Sequence, residues 1–237
     1  MKIVAGGRSG RFRPSLLARS MAPTPVLREP VTTDVFRIRE ARLGERYGWI
    51  SALAWIAIGL DSILRPIQDN RREIYWWIPF AFMMLALISI HRVQRSQNRR
   101  FELYSYRAIM LASALVLLGN LGLVFNVSAL SELGFPGGAI VWMVGQIAFG
   151  IATWRARVLP WYVGLALVLW ESGSIAAGLL LAPIAPLHER GSYSAGLEKG
   201  LALAVMAYGL RAYRNAKCSE AVWQESSSTI ERTSSPI

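Results

Sequence analysis

One carboxylate, Glu171, stands near the middle of an apolar run of 23 residues, Pro160 to Ala182. An acid there is costly in hydrocarbon: insertion scales place Asp at a helix centre at about +2.5 to 3.5 kcal/mol. Such a group must sit among neighbouring helices, be protonated, or both, because a buried charge needs a partner. Two kinds of chemistry fit: a site that carries a proton or cation, or a carboxyl that hydrogen-bonds across helices. Gly164, Glu171, Ser174 and Gly178 recur at spacings of 7, 3 and 4, so they share one side of a helix. Small residues on that side let a neighbour come close.

Other polar groups interrupt apolar blocks. Asn120 and Gln146 are neutral amides able to bridge helices. By residue count, Gln146 and Glu171 lie at similar depth on sequence-adjacent spans, which predicts a Gln146–Glu171 hydrogen bond. Asp61 has Arg65 four residues on, on the same helix face, which predicts a local ion pair. Glu198 and Lys199 lie one turn inside the last apolar block. Lys199 could extend to the interface or pair with Asp61, with Glu198 pointing elsewhere, but the first expectation for both is a solvated helix end. Gly196, Gly200 and Ala204 form a small-residue stripe containing a GxxxG.

Soluble-enzyme chemistry is not legible. His91 and His188 have no partner at metal-ligand spacing, and HExxH, GxSxG and a phosphate-binding Gly-rich loop with Lys are absent. Gly6-Gly7-Arg8 lacks the flanking strand and helix such a loop needs. Cys218 is the single cysteine, which rules out an intrachain disulfide. No metal and no cofactor is expected. Met83-Met84 reads as core or lipid-facing.

The elements that must hold these groups are six apolar blocks with the charges between them, the pattern of a multi-pass membrane protein. Hydrophobic residues make up 53 % of the 237. The blocks are residues 47–64, 74–90, 107–125, 137–154, 160–182 and 194–213. The fifth spans roughly 34 Å as a helix. Pro79 should bend the second or mark its first turn, Trp76 and Trp77 suit an interface, and Gly134 to Gly138 forms a turn before the fourth. Residues 1–46 read as a basic, largely disordered leader, or as an over-extended start with Met21 the initiator, with 34–46 able to lie as a short surface helix. Residues 214–237 read as a disordered tail.

The net charge is +11. The basic residues flank apolar segments, where they set orientation and meet anionic lipid, so nucleic acid is not the expected partner. The leader, the 91–107 and 155–159 connections and the C-terminal segment carry 21 Lys and Arg, against four in the other connections. This asymmetry predicts that both termini are cytoplasmic.

The element WRARVLPWYVG, Trp154 to Gly164, resembles one found in uncharacterised bacterial multi-pass membrane proteins, where Arg-Val-Leu-Pro and a nearby Trp join two spans. In that family one residue often separates Pro from Trp, whereas Trp161 follows Pro160 directly here. The resemblance implies a membrane fold and a bacterial origin, with Arg155 and Arg157 at the inner surface, and no activity. The resulting expectation is an all-α six-helix transmembrane bundle in the plasma or inner membrane. The leading reading of its role is a small transporter or permease-like protein, or a subunit of one, with Glu171 protonatable. A second class is an accessory or scaffold protein, packing on a membrane partner or a second copy through the Gly196 stripe. An intramembrane enzyme is the third.

Overall fold

The structure is a computed structural model, and it describes residues 31–65, 70–95, 100–181, 183 and 196–233. All regular structure among these is helical. Helix α1 is Val31–Leu64; a 3-10 turn, Asn70–Trp76, leads into α2, Trp77–Gln94; α3 is Arg100–Phe125. A short α4, Ser128–Glu132, passes through a wide π-type turn, Leu133–Gly138, into α5, Ala139–Ala156. Then come α6, Trp161–Leu181, and α7, Gly196–Thr233. Four stretches are long and apolar enough to cross a membrane: Asp34–Leu64, Glu73–Gln94, Arg100–Phe125 and Ser128–Ala156. Trp161–Ala177 of α6 is a shorter apolar helix.

Local chemistry sets several boundaries. Pro79 lies in the first turn of α2, where its missing N–H leaves no intrahelical bond unmade, and its carbonyl accepts from Ser51 Oγ at 2.6 Å. Helix α5 stops at Arg157, which is left-handed at φ 54° and donates its N–H to the Trp154 carbonyl at 3.3 Å. Pro160 then precedes α6, and its carbonyl takes the Val163 N–H at 3.0 Å.

The long helices alternate in direction. Helix α1 packs on α2 and α7, α6 on α5 and α7, and α3 on α5 and the 3-10 turn. Glu45 pairs with Arg214, while Gly59 abuts Leu197, so α1 and α7 run antiparallel. The start of α1 and the end of α7 therefore share one end of the bundle, here the terminal end. Two crossings are too close for any side chain. A Cβ on Gly150 or on Gly164 would lie 2.7 Å from the other's carbonyl oxygen. Cβ atoms on Gly196 and Gly200 would lie 2.6 and 2.7 Å from the carbonyls of Trp55 and Ala52.

The core is filled by Trp55, Phe80, Met83, Leu87, Ile109, Phe149, Leu167, Trp170, Leu203 and Met206, each nearly inaccessible. The outside is also apolar: Leu53, Leu111, Val144, Leu169, Leu179 and Leu201 are exposed. A chain in water buries such side chains, whereas a bilayer solvates them.

The structure departs from the sequence reading in four places. Residues 34–46 are part of the continuous helix α1, not a separate surface helix; Gly44 in this stretch packs closely on Ser89, and Gly48 just beyond it on Ala207. Residues 214–233 continue α7 where a disordered tail is expected; no Gly or Pro interrupts the chain there before Pro236. At 34 and 38 residues, α1 and α7 reach about 50 to 57 Å, beyond a hydrocarbon layer of about 30 Å. Gly134 to Gly138 is helical rather than an open turn, broken by extended Phe135. Finally, the stripe of Gly196 and Gly200 is covered by α1, so it offers no groove to a partner. The leader up to residue 30, His188 and Arg190 lie outside the described residues.

Candidate functional site

Helices α6 and α7 bring Glu171 and Lys199 together, with Lys199 Nζ 3.0 Å from Glu171 Oε2. The lysine side chain is 6 % accessible and the glutamate 17 %, so the pair is deep but not sealed. The contact is electrostatic more than directional: among the described residues Glu171 Oε2 has no aligned hydrogen-bond donor. The rest of the ammonium's surroundings is aromatic. Its nitrogen lies 5.2 Å from the ring centroids of Trp55 and Trp76, 5.5 Å from Trp142 and 5.9 Å from Trp170. Four elements contribute: α1, the 3-10 turn, α5 and α6.

The indoles brace one another edge to face. Trp142 and Trp170 are 5.0 Å apart at 75°, and Trp55 and Trp76 are 5.1 Å apart at 72°. This arrangement sets the positive edge of one ring on the negative face of another. Phe80 stacks on Trp142 at 5.1 Å, and Trp170 Nε1 donates to the Lys199 carbonyl at 3.0 Å. The indoles thus support one another, and Trp170 is tied to the α7 backbone.

Around this cage lie polar atoms without partners among the described residues: Trp55 Nε1, Trp142 Nε1, both amide atoms of Gln146, and Glu198 Oε2. Gln146 is fully buried and one turn beyond Trp142 on the same face of α5. Glu198 packs against Gly173 of α6, where an added Cβ would lie 2.7 Å from Glu198 Oε1. Buried polar groups are normally paired, so each of these atoms calls for an explanation, as do Gln94 Oε1, Ser113 Oγ and Tyr213 Oη elsewhere in the bundle.

These contacts correct the sequence reading. Gln146 makes no hydrogen bond to Glu171: Trp170 takes the position facing α5, and Glu171, about 100° further round the helix, meets α7 instead. Lys199 pairs with Glu171, not Asp61. Asp61 has Arg65 at 3.9 Å, both partly exposed. Gly164 faces α5 rather than the Glu171 site, and Ser174 is buried on α6. Ala204 is half-buried on α7, and the surroundings of Gly178 lie outside the described residues.

Asn120 belongs to a separate cluster. It accepts from Trp77 Nε1 at 3.1 Å and donates to Glu73 Oε2 at 3.0 Å, beside the end of the bundle opposite the termini. At the terminal end, Glu102 Oε1 meets His91 Nδ1 at 2.6 Å and Gln94 Nε2 at 3.2 Å, and Gln94 Nε2 also donates to Thr153 Oγ1 at 3.2 Å. The His91 ring stacks on Tyr106 at 4.0 Å. Arg92 and Glu40 join α2 to α1 at 3.3 Å. Sequence reasoning missed Glu73 and Glu102, which it left in connections.

The cage was also missed, although a signal existed. Trp55, Trp142 and Trp170 lie inside apolar blocks rather than at their ends, where interfacial tryptophans belong. Among the described residues no group of three or more His, Cys, Asp or Glu could hold a metal. No family model matches this chain, and no curated protein or solved structure matches it either.

Proposed function

We propose that this chain is a six-span protein of a bacterial inner membrane, with both termini cytoplasmic, acting as a small transporter or permease-like protein or as a subunit of one. Its working centre is the Glu171–Lys199 pair in the tryptophan cage. One observation carries the reading: the Glu171 carboxylate and the Lys199 ammonium meet among apolar helices, with a second carboxylate, Glu198, packed between α7 and Gly173 of α6 and one of its oxygens without a partner among the described residues. Ionisable groups at such depth are expensive to keep and are the usual mark of an ion or substrate path. Two carboxylates, Glu171 and Glu198, against the single ammonium of Lys199 leave one negative charge that a proton or a cation can neutralise. Arg92, Arg155 and Arg214 at the terminal end suit the cytoplasmic face. The scaffold reading loses its surface, because α1 covers the Gly196 stripe.

Two experiments test this. Cys218 is the only thiol and is exposed in the second half of α7, four residues beyond Arg214. A membrane-impermeant maleimide should label it in inverted vesicles and not in intact cells; the opposite pattern would reverse the topology. For activity, purified protein in vesicles with a trapped pH dye should move protons above empty-vesicle leak under an imposed potential. Glu171→Gln should return that flux to the leak rate. A Glu171→Gln variant with undiminished flux ends the role given to Glu171.

A further inference from the structure

The ammonium of Lys199 is bound the way a separate ligand would be bound. It lies at 5.2 to 5.9 Å from four indole centroids, and a single carboxylate oxygen stands at 3.0 Å. A primary ammonium has three N–H donors and is strongly hydrated. Among the described residues the ammonium meets one carboxylate and otherwise π faces, a setting better matched to a cation that donates few hydrogen bonds. Aromatic cages of this kind recognise methylated and quaternary ammonium groups. We infer that the Trp55–Trp76–Trp142–Trp170 cage, with Glu171, is a binding site for a small alkylammonium cation, and that Lys199 is its tethered occupant in the present state.

The surroundings provide for an exchange. A cation entering the cage takes Glu171 as its counter-ion. The displaced Lys199 ammonium needs another, and Glu198, the adjacent residue, holds a buried carboxylate oxygen without a partner among the described residues. The charge then balances: two carboxylates face two ammonium groups. A sodium ion gains less at the same place, because four indoles offer it no oxygen ligands to replace its water. The tethered lysine also competes with every incoming cation, so apparent affinity falls by the fraction of time the cage is free.

This inference rests on the transport reading for its purpose but not for its test, which measures binding. Lys199→Ala empties the cage. In phosphatidylglycerol nanodiscs, which carry no lipid amine, tetramethylammonium should raise the melting temperature of Lys199→Ala saturably, while sodium at equal ionic strength should not. Phosphatidylcholine nanodiscs without the free ion form a second arm: stabilisation of Lys199→Ala there alone would identify a lipid headgroup as the source of the alkylammonium. Equal response to sodium and tetramethylammonium, and none to phosphatidylcholine, overturns the assignment.

If Lys199→Ala does not fold, the wild-type protein serves. Its tryptophan fluorescence should change saturably with tetramethylammonium, and Trp142→Leu should weaken that binding roughly tenfold, the loss expected for one ring of a desolvated cage. A titration indistinguishable from that with sodium overturns the assignment equally. Cation-selective binding without flux in vesicles removes the transport reading and leaves the site; flux without such binding removes the ligand class and leaves transport.

Discussion

Two buried polar clusters in this bundle solve the same problem in opposite ways. At the terminal end, Glu102 gathers His91 and Gln94, Gln94 reaches Thr153, and Arg92 meets Glu40, so α1, α2, α3 and α5 are tied by hydrogen bonds of ordinary length. Between α6 and α7, Lys199 meets Glu171 off the hydrogen-bond direction and has four indole faces around it, while among the described residues Gln146 and Glu198 leave polar atoms unpaired. The terminal cluster leaves one buried atom, Gln94 Oε1, without a hydrogen-bond partner among the described residues, whereas beside the cage both amide atoms of Gln146 and one carboxylate oxygen each of Glu171 and Glu198 have none. The more fully paired a network is in a low-dielectric core, the more it rigidifies that core. The first cluster behaves as a clasp and the second as a site. The comparison places function by where the structure leaves polar groups unpaired, not by where they are most numerous.

The largest expected effect breaks the second cluster. Lys199→Met leaves the Glu171 carboxylate without its cation, and removing one partner of a buried pair typically costs about 3–5 kcal/mol. The double variant Glu171→Leu/Lys199→Met removes both charges and should recover most of that loss, because a buried pair seldom outperforms apolar side chains of similar size. Melting curves in detergent or nanodiscs read both. If the double variant is as unstable as the single one, the cage stabilises the fold and the contrast drawn above fails.

The fold was legible in the chain to the extent that a bilayer dictates it. Among the described residues the apolar blocks fall in helices, and four of these helices are long and apolar enough to cross a membrane, where hydrocarbon leaves the backbone no other partner than itself. Helix ends were less legible: nothing in residues 31–46 or 214–233 is apolar enough to be read as membrane, yet α1 and α7 run through them. Glu171 stood out by its depth. Its partner did not, since a lysine one turn into a helix reads as a solvated end until α6 is seen to turn Glu171 toward it. The tryptophans were legible as residues and not as a cage, because four positions spread from 55 to 170 converge only in three dimensions.

The clasp should answer differently to substitution. Glu102→Ala leaves His91 and Gln94 without their shared acceptor. The expected cost is about 1–3 kcal/mol, the penalty for orphaned buried polar groups. Thr153→Val removes one neutral bond and should cost about 0.5–1.5 kcal/mol. Neither should alter tetramethylammonium binding beyond what reduced stability explains, because the clasp shares no side chain with the cage. Selective loss of cation binding in Glu102→Ala would show that the two clusters act as one.

The smallest effect lies outside the membrane-facing core, on the far turn of α7. Lys217 Nζ lies 2.7 Å from Glu220 Oε2, three residues on, and both side chains are partly exposed. The hydrogen bond to Glu220 is the main reason that the Lys217 ammonium is held above its usual value of 10.5. A folded-state value above the unfolded one contributes stability that is fully present below pH 10.5 and fades as pH rises through the folded value. Glu220→Gln should therefore lower the Lys217 midpoint, read by NMR titration of the lysine ε position. At neutral pH it should change stability by no more than about 0.5 kcal/mol, as exposed helix pairs do. A substantially larger loss would mean that this turn of α7 is clamped like the clasp, and that the polar ties reach further along the helix than the contacts at Glu45 and Arg214.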